Sequence, residues 1–122
     1  MARILIVDDN HDMLTMLQML LERRGNHDIT TANSGAAGLK MAFANKPDIM
    51  IVDIMMPGMN GYDVVNNIRN DSRTQKLPII ILTARGQPVD KNAALAAGAN
   101  IHMSKPVDIQ ELLKTIDNLL EM

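Results

Sequence analysis

The sequence has 122 residues, a length that one domain fills without leaving room for a second core. Its hydrophobic share of 47% and charged share of 21% are typical of a globular protein rather than a disordered or fibrous one. The formal net charge of −2 offers no basic surface for nucleic acid or anionic lipid. The sequence has no cysteine, which excludes disulfides and thiolate metal sites, and its apolar runs are far shorter than the ~20 residues of a membrane helix. We therefore expect a cytoplasmic protein that binds neither nucleic acid nor a membrane directly.

Short apolar runs and amphipathic segments alternate along the first half of the chain. Residues 4–7 predict a strand. One face of the helix that follows is apolar and consists of Met13, Leu14, Leu17, Leu20 and Leu21. This helix is expected to end at Arg24, with Gly25 as its C-cap. A second strand is predicted at 29–32 and a second helix at 35–43.

The same alternation continues in the second half. Strands are predicted at 49–52, 79–83 and 101–103, and helices at 62–69 and 89–97, the latter stopped by Gly98. A fifth helix is predicted to begin at Asp108, with Glu111 as its capping-box partner. Because several strands are continuous aliphatic runs, both faces of the sheet are expected to be covered.

This order of elements predicts an α/β fold of the (βα)5 type. Right-handed crossovers give a doubly wound five-stranded parallel sheet with the flavodoxin-like order 2-1-3-4-5. The fifth helix uses almost all of the remaining chain, so residues 1–122 are expected to form one domain with no output domain. The eleven methionines could indicate a copper site or a binding groove, but their helical spacing favours ordinary core packing.

Chemically active side chains follow the carboxyl ends of four predicted strands, which is the edge where open α/β sheets bind their ligands. Taken singly, each of these side chains would be a turn-former, a helix cap or a solvated charge. Their shared position on one edge favours a site. The group consists of three carboxylates, a hydroxyl and an amine: Asp8, Asp9, Asp53, Thr83 and Lys105.

The chemistry of this group points to phosphoryl transfer. Three neighbouring carboxylates repel one another, which raises their pKa values and favours a hard divalent cation such as Mg²⁺. A carboxylate beside such an ion can act as a nucleophile towards phosphorus and form an aspartyl phosphate. A lysine at the same edge can neutralise the charge on the transferred group.

The stretch Asp-Ile-Met-Met-Pro-Gly-Met-Asn-Gly at residues 53–61 resembles the phosphoacceptor loop of the receiver domains of two-component signalling. Asp8 and Asp9 match the acidic pair of this family, Thr83 its switch hydroxyl, and Lys105-Pro106 its lysine and following proline, a bond that is often cis. Within the loop, Pro57-Gly58 predicts a tight turn with a positive φ at the glycine. The resemblance covers the whole chain in order and spacing.

The resemblance implies a role for each site residue. Asp53 would be phosphorylated, and Thr83 and Lys105 would hold phosphoryl oxygens. The magnesium ligands would be Asp8, Asp9, Asp53 and the backbone carbonyl of Met55. One position departs from the family pattern, because His102 stands where a switch Tyr or Phe is common. His102 is either a working switch residue or a half-exposed histidine on an edge strand.

The same resemblance implies a phosphoacceptor switch rather than a turnover enzyme. The donor would be a histidine kinase or a histidine-phosphotransfer protein, and the switch would act on a downstream effector as a monomer or weak dimer. It would promote its own phosphoryl transfer and its slow dephosphorylation. Three alternatives remain: a flavin binder of the same architecture, a magnesium-dependent aspartyl phosphatase, and a degenerate receiver that only docks.

Overall fold

The computed structural model of the protein describes residues 2–83 and 96–121. Five parallel strands form one sheet in the order β2-β1-β3-β4-β5, which confirms the predicted topology. The strands are β1 (Arg3–Val7), β2 (Asp28–Ala32), β3 (Ile49–Asp53), β4 (Ile79–Thr83) and β5 (Ile101–Ser104). The described helices are α1 (His11–Gly25), α2 (Gly35–Ala44), α3 (Gly61–Arg69) and the C-terminal helix α4 (Ile109–Leu120). Most of the helix predicted at 89–97 lies outside the described residues.

The sheet separates two hydrophobic cores because successive strand residues point to opposite faces. In β1, Leu5 and Val7 enter the core shared with α2 and α3, whereas Ile4 and Ile6 enter the core shared with α1 and α4. All residues of β3 and β4 are buried, as expected for strands covered on both faces. No helix in the described part of the chain has the length and hydropathy needed to cross a membrane.

The end of α1 differs from the prediction. Gly25 is the last helical residue, and the C-cap is Asn26, whose φ of 54° is left-handed. Asparagine tolerates this conformation better than most residues. A Cβ at Gly25 would approach the ring of His27 to 2.6 Å, so the glycine is required there for space rather than for capping.

Asp108 is the N-cap of α4, as predicted, but Glu111 contributes only its backbone N–H, and the predicted capping box is not found in this described helix. The Asp108 side chain accepts hydrogen bonds from the backbone N–H groups of Gln110 and Glu111. Gly98, expected to stop a helix, has a positive φ of 105°. A reciprocal capping box is found at α3, where the Asn60 side chain accepts from the Asp63 N–H and the Asp63 carboxylate accepts from the Asn60 N–H.

His27 is expected to make stability fall in acid. The ring is buried, and its Nδ1 accepts a hydrogen bond of 3.2 Å from the Ala2 N–H, which requires an unprotonated nitrogen. Burial lowers the pKa of His27, partly offset by the charge of Asp117. The unfolded chain therefore binds a proton at His27 more readily than the folded chain does. The contribution of the neutral His27 ring to stability is complete above about pH 6.5 and is lost as the pH falls towards the lowered pKa of the folded state.

The melting temperature of wild type should therefore fall more steeply between pH 7.5 and pH 5 than that of His27→Asn, by on the order of a few degrees. His11→Asn is the matched control because His11 is exposed at the start of α1. Parallel pH profiles for wild type and His27→Asn would contradict the prediction.

Candidate functional site

Three carboxylates meet at the carboxyl edge of the sheet. Asp8 follows β1 directly, and Asp53 is the last residue of the neighbouring strand β3, with Val7 and Val52 paired just before them. Their side chains lie within a cluster with Asp9, in which one oxygen from each carboxylate lies within 4.8 Å of the others. Asp8 and Asp53 are buried, at 1% and 5% exposure, whereas Asp9 is exposed. The cluster therefore has a buried floor and one solvent-facing carboxylate.

Lys105 supplies the positive charge of this cluster. Its Nζ lies 3.1 Å from Asp8 Oδ2 and 3.4 Å from Asp53 Oδ1. Its backbone N–H donates a 2.6 Å hydrogen bond to the Thr83 carbonyl, which fixes the lysine at the end of β5. The peptide bond between Lys105 and Pro106 is cis. The amine thus bridges two buried carboxylates that would otherwise repel each other.

The pKa of Asp53 is raised above its ordinary value. Burial is the largest cause, and the negative charge of Asp8 adds to it. The charge of Lys105 and its hydrogen bond oppose both effects. In the unmodified site, Lys105 therefore compensates only part of the negative charge of the carboxylates.

Local hydrogen bonds orient the first acidic loop. Asp8 Oδ1 accepts from the Asn10 N–H at 2.9 Å, and Asn10 in turn caps α1 by accepting from the Met13 N–H. Both oxygens of Asp8 are thus engaged, one by Asn10 and the other by Lys105. Asp8 is a fixed group, and Asp9 is left facing solvent.

The loop after Asp53 is held by a close backbone approach. The Gly61 N–H donates to the Ile54 carbonyl at 2.9 Å, and a Cβ at Gly61 would lie 2.6 Å from the Asp53 carbonyl oxygen. Between these points the chain turns at Gly58, whose positive φ of 79° confirms the turn predicted at Pro57-Gly58. Met55 points outwards from this loop, with 60% of its surface exposed.

Thr83 lies on β4, the strand next to β3, and His102 lies on β5, which pairs with β4 at the edge of the sheet. Thr83 ends β4 and is buried, and its hydroxyl donates a long 3.5 Å hydrogen bond to the Met103 carbonyl on β5. His102 is partly buried on β5, which is an edge strand of the sheet. This position is the one expected if His102 is a half-exposed histidine on an edge strand. It lines a surface cavity of about 290 Å³ together with Asp108 and Glu111. A switching role for His102 stays a prediction.

The cluster fits a hard divalent cation. Its donors are carboxylate oxygens, the ligands that Mg²⁺ prefers, and the exposed Asp9 gives solvent access. Two buried carboxylates with one shared amine also leave negative charge that a cation would neutralise.

Sequence reasoning did not find two features of the site. It assigned Lys105 to phosphoryl oxygens and did not foresee that the amine also bridges Asp8 and Asp53. The bridge could have been predicted from the sequence, because buried carboxylates require a cation and Lys105 follows the strand end at the same edge. The close approach of Gly61 to Asp53 had no comparable signal, since it depends on the path of the loop.

Comparisons with known proteins agree with this geometry. Residues 4–117 match the family model described as the response regulator receiver domain. Protein PilH of Pseudomonas aeruginosa is 41% identical over 120 residues, covering 98% of both chains. Other curated relatives are transcriptional regulators of which the chain spans only 46% to 49%.

Solved structures show the same fold. A response regulator from Chloroflexus aurantiacus aligns with a TM-score of 0.92 at 36% identity, covering 99% of this chain and 98% of that one. The receiver domain of the sensor histidine kinase PA1611 from Pseudomonas aeruginosa aligns with a TM-score of 0.90 at 27% identity and the same coverage. That structure is described with a magnesium ion coordinated in its active-site cleft. The chain therefore belongs to the response-regulator receiver domain family of two-component signalling.

Proposed function

We propose that Asp53 accepts a phosphoryl group from the phosphohistidine of a histidine kinase or histidine-phosphotransfer protein. The observation that carries the proposal is the buried Asp53 carboxylate, with the Lys105 amine 3.4 Å away and the exposed Asp9 beside it. In this assignment Asp8, Asp9, Asp53 and the backbone carbonyl of Met55 would hold a Mg²⁺ ion. When bound, the ion neutralises charge on the phosphoryl oxygens and on the carboxylates.

The transfer is an in-line displacement. A carboxylate oxygen of Asp53 attacks phosphorus, the P–N bond to the donor histidine breaks, and its electron pair returns to the imidazole nitrogen. Lys105 moves from the carboxylates to a phosphoryl oxygen and stabilises the charge there. The Thr83 hydroxyl donates to another phosphoryl oxygen and gives up its bond to Met103.

This exchange at Thr83 couples the site to β5. The bond from Thr83 to the Met103 carbonyl is long and therefore weak, so a charged phosphoryl acceptor replaces it favourably. We place the effector surface on β5 and α4, with His102 at its centre, together with the helix predicted at 89–97. The direct partners in this proposal are proteins, and the expected absence of nucleic-acid contact stays a prediction.

Acetyl phosphate with Mg²⁺ tests the proposal. Intact mass should increase by one phosphoryl group, and hydroxylamine should remove it. Asp53→Asn should abolish the labelling, while Glu22→Gln, on the exposed face of α1, should label like wild type. Undiminished labelling of Asp53→Asn would refute the assignment, and release of phosphate without accumulation would favour the phosphatase alternative.

Magnesium is expected to stabilise the fold. A ligand at one hundred times its Kd adds about 2.7 kcal/mol when it binds only the folded chain. Asp9→Asn should raise the metal-free melting temperature, because it removes repulsion from the cluster, and should weaken the response to Mg²⁺. Thermal melts in EDTA and in Mg²⁺ measure both effects, with Glu22→Gln as the control. A metal-free Asp9→Asn protein no more stable than wild type would count against a crowded site.

The aspartyl phosphate is expected to be long-lived, because the exposed side chain nearest the phosphoacceptor in sequence, Met55, cannot orient an attacking water. Met55→Asn introduces a hydrogen-bonding group at this position and should shorten the phosphoryl half-life. The decay of the phosphorylated mass after removal of acetyl phosphate measures it, and Met16→Asn on α1 is the control. An equal or longer half-life in Met55→Asn would contradict the prediction.

A further inference from the structure

The loop after Asp53 presents the thioether of Met55 to solvent, whereas Met59 in the same loop is partly buried against the core. Met55 is 60% exposed, the largest value among the large apolar side chains of the described residues. The residues around it are Asp53, Ile54 and Met56, at 5%, 6% and 7% exposure. The most exposed of these thioethers therefore lies two residues after Asp53 in the sequence.

Burial separates Met55 from most other described methionines. Met56 and Met50 are packed in the core shared with α2 and α3, where a solution oxidant has little access. Met16 and Met19 are 38% and 43% exposed but lie in the middle of α1, away from the carboxyl edge of the sheet. They provide accessible thioethers at which oxidation leaves the phosphoacceptor loop unchanged.

We propose that Met55 is an oxidation site through which a peroxide shortens the life of the phosphoryl group on Asp53; the inference rests on the proposed function. In the modifying step the thioether sulfur donates an electron pair to one peroxide oxygen and the O–O bond breaks. Proton transfer to the departing oxygen gives water, so the sulfur is oxidised by two electrons and hydrogen peroxide is reduced. The product is methionine sulfoxide, which methionine sulfoxide reductases return to the thioether.

The physical consequence follows from the polarity of the new group. A thioether sulfur is a weak hydrogen-bond acceptor, whereas the sulfoxide is polar and carries an oxygen acceptor. Asp8 and most of Lys105 are buried against Asp53, whereas Asp9 and Met55 are exposed, so we take the side of Asp9 and Met55 as the solvent side of the site. A sulfoxide oxygen there holds a water near the phosphorus. Because Met55 is exposed, its oxidation leaves both cores intact.

The test begins with limited hydrogen peroxide and peptide mapping. Met55 should be oxidised before Met50 and Met56. The oxidised and untreated proteins are then labelled with acetyl phosphate and Mg²⁺, and the decay of the phosphorylated mass is followed after removal of the donor. The half-life should shorten about fivefold on oxidation, which corresponds to about 1 kcal/mol in the barrier.

Three variants separate Met55 from the other sites. Met55→Leu should lose the effect of peroxide, Met55→Gln should show a shortened half-life without peroxide, and the double variant Met16→Leu/Met19→Leu should respond like wild type. An unchanged half-life after full oxidation of Met55, or equal peroxide sensitivity in Met55→Leu, would overturn the inference. Slower labelling of the oxidised protein with an unchanged half-life would also overturn it. Wild type that never labels, even untreated, contradicts the proposed function itself, and the inference falls with it.

Discussion

Lys105→Met is expected to lower the free energy of unfolding of the metal-free protein by about 2–3 kcal/mol. Removing one partner of a buried ion pair typically costs about 3–5 kcal/mol, and the lysine side chain here keeps 17% of its surface exposed, which reduces the loss. The variant leaves Asp8 and Asp53 buried without the amine that now lies 3.1 and 3.4 Å from them.

Two dependences identify the cause of this loss. Mg²⁺ should restore most of the stability of Lys105→Met, because a bound cation replaces the missing charge. The deficit should also shrink as the pH falls. The pKa of Asp53 is already raised, and protonation of this carboxyl in the folded state removes the repulsion.

Urea denaturation in EDTA and in Mg²⁺, at neutral and mildly acidic pH, measures both dependences. Lys40→Met is the matched control because Lys40 is exposed on α2. An equal loss in Lys40→Met, or a deficit in Lys105→Met unaffected by pH and Mg²⁺, would show that the bridge contributes nothing specific.

Gly61→Ala is expected to damage both the fold and the proposed phosphoacceptor site at Asp53. The added Cβ would lie 2.6 Å from the Asp53 carbonyl oxygen and 2.8 Å from the Ile54 Cα, and these backbone atoms cannot rotate away. Overpacking of this kind costs about 1–3 kcal/mol. Because the strain falls on the backbone of Asp53, the rate of labelling by acetyl phosphate should drop about tenfold or more.

Gly58→Ala separates this steric effect from simple loop strain. A Cβ at Gly58 would contact nothing within 4 Å, but the φ of 79° is unfavourable for alanine by about 1–2 kcal/mol. Gly58→Ala should therefore lose similar stability and keep most of its labelling rate. Thermal melts and initial labelling rates compare the two variants. Equal labelling rates in both would refute a specific role for Gly61 beside Asp53.

The strands could be predicted almost to the residue because continuous aliphatic runs leave few alternatives. The differences lie at polar ends. β1 and β2 begin one residue early, at the paired residues Arg3 and Asp28, whereas β3 extends to Asp53 and β5 to Ser104. Hydrophobic patterning reports burial of side chains, whereas strand ends depend on backbone pairing, which polar residues can join.

That the three carboxylates and Lys105 lie together could be predicted from the sequence, because the carboxyl ends of parallel strands share one edge. Their distances could not, since these depend on side-chain rotamers and on contacts between remote residues. The C-cap of α1 illustrates the limit. Gly25 and Asn26 can both adopt a left-handed conformation, and the choice between them depends on the ring of His27, which fills the space beside Gly25.

The bridge between Asp8 and Lys105 also orders the assembly of the protein. Asp8 and Lys105 are 97 residues apart in the sequence. All three carboxylates lie in the first half of the chain and are synthesised before Lys105. At a synthesis rate of about 5–20 residues per second, the emerging chain carries these carboxylates for several seconds before Lys105 is added. Strands β1 and β3 can pair during that time, but only by bringing Asp8 and Asp53 together without their amine. When the last strand docks, Lys105 relieves the repulsion between Asp8 and Asp53. The complete sheet is therefore favoured over its partly assembled forms.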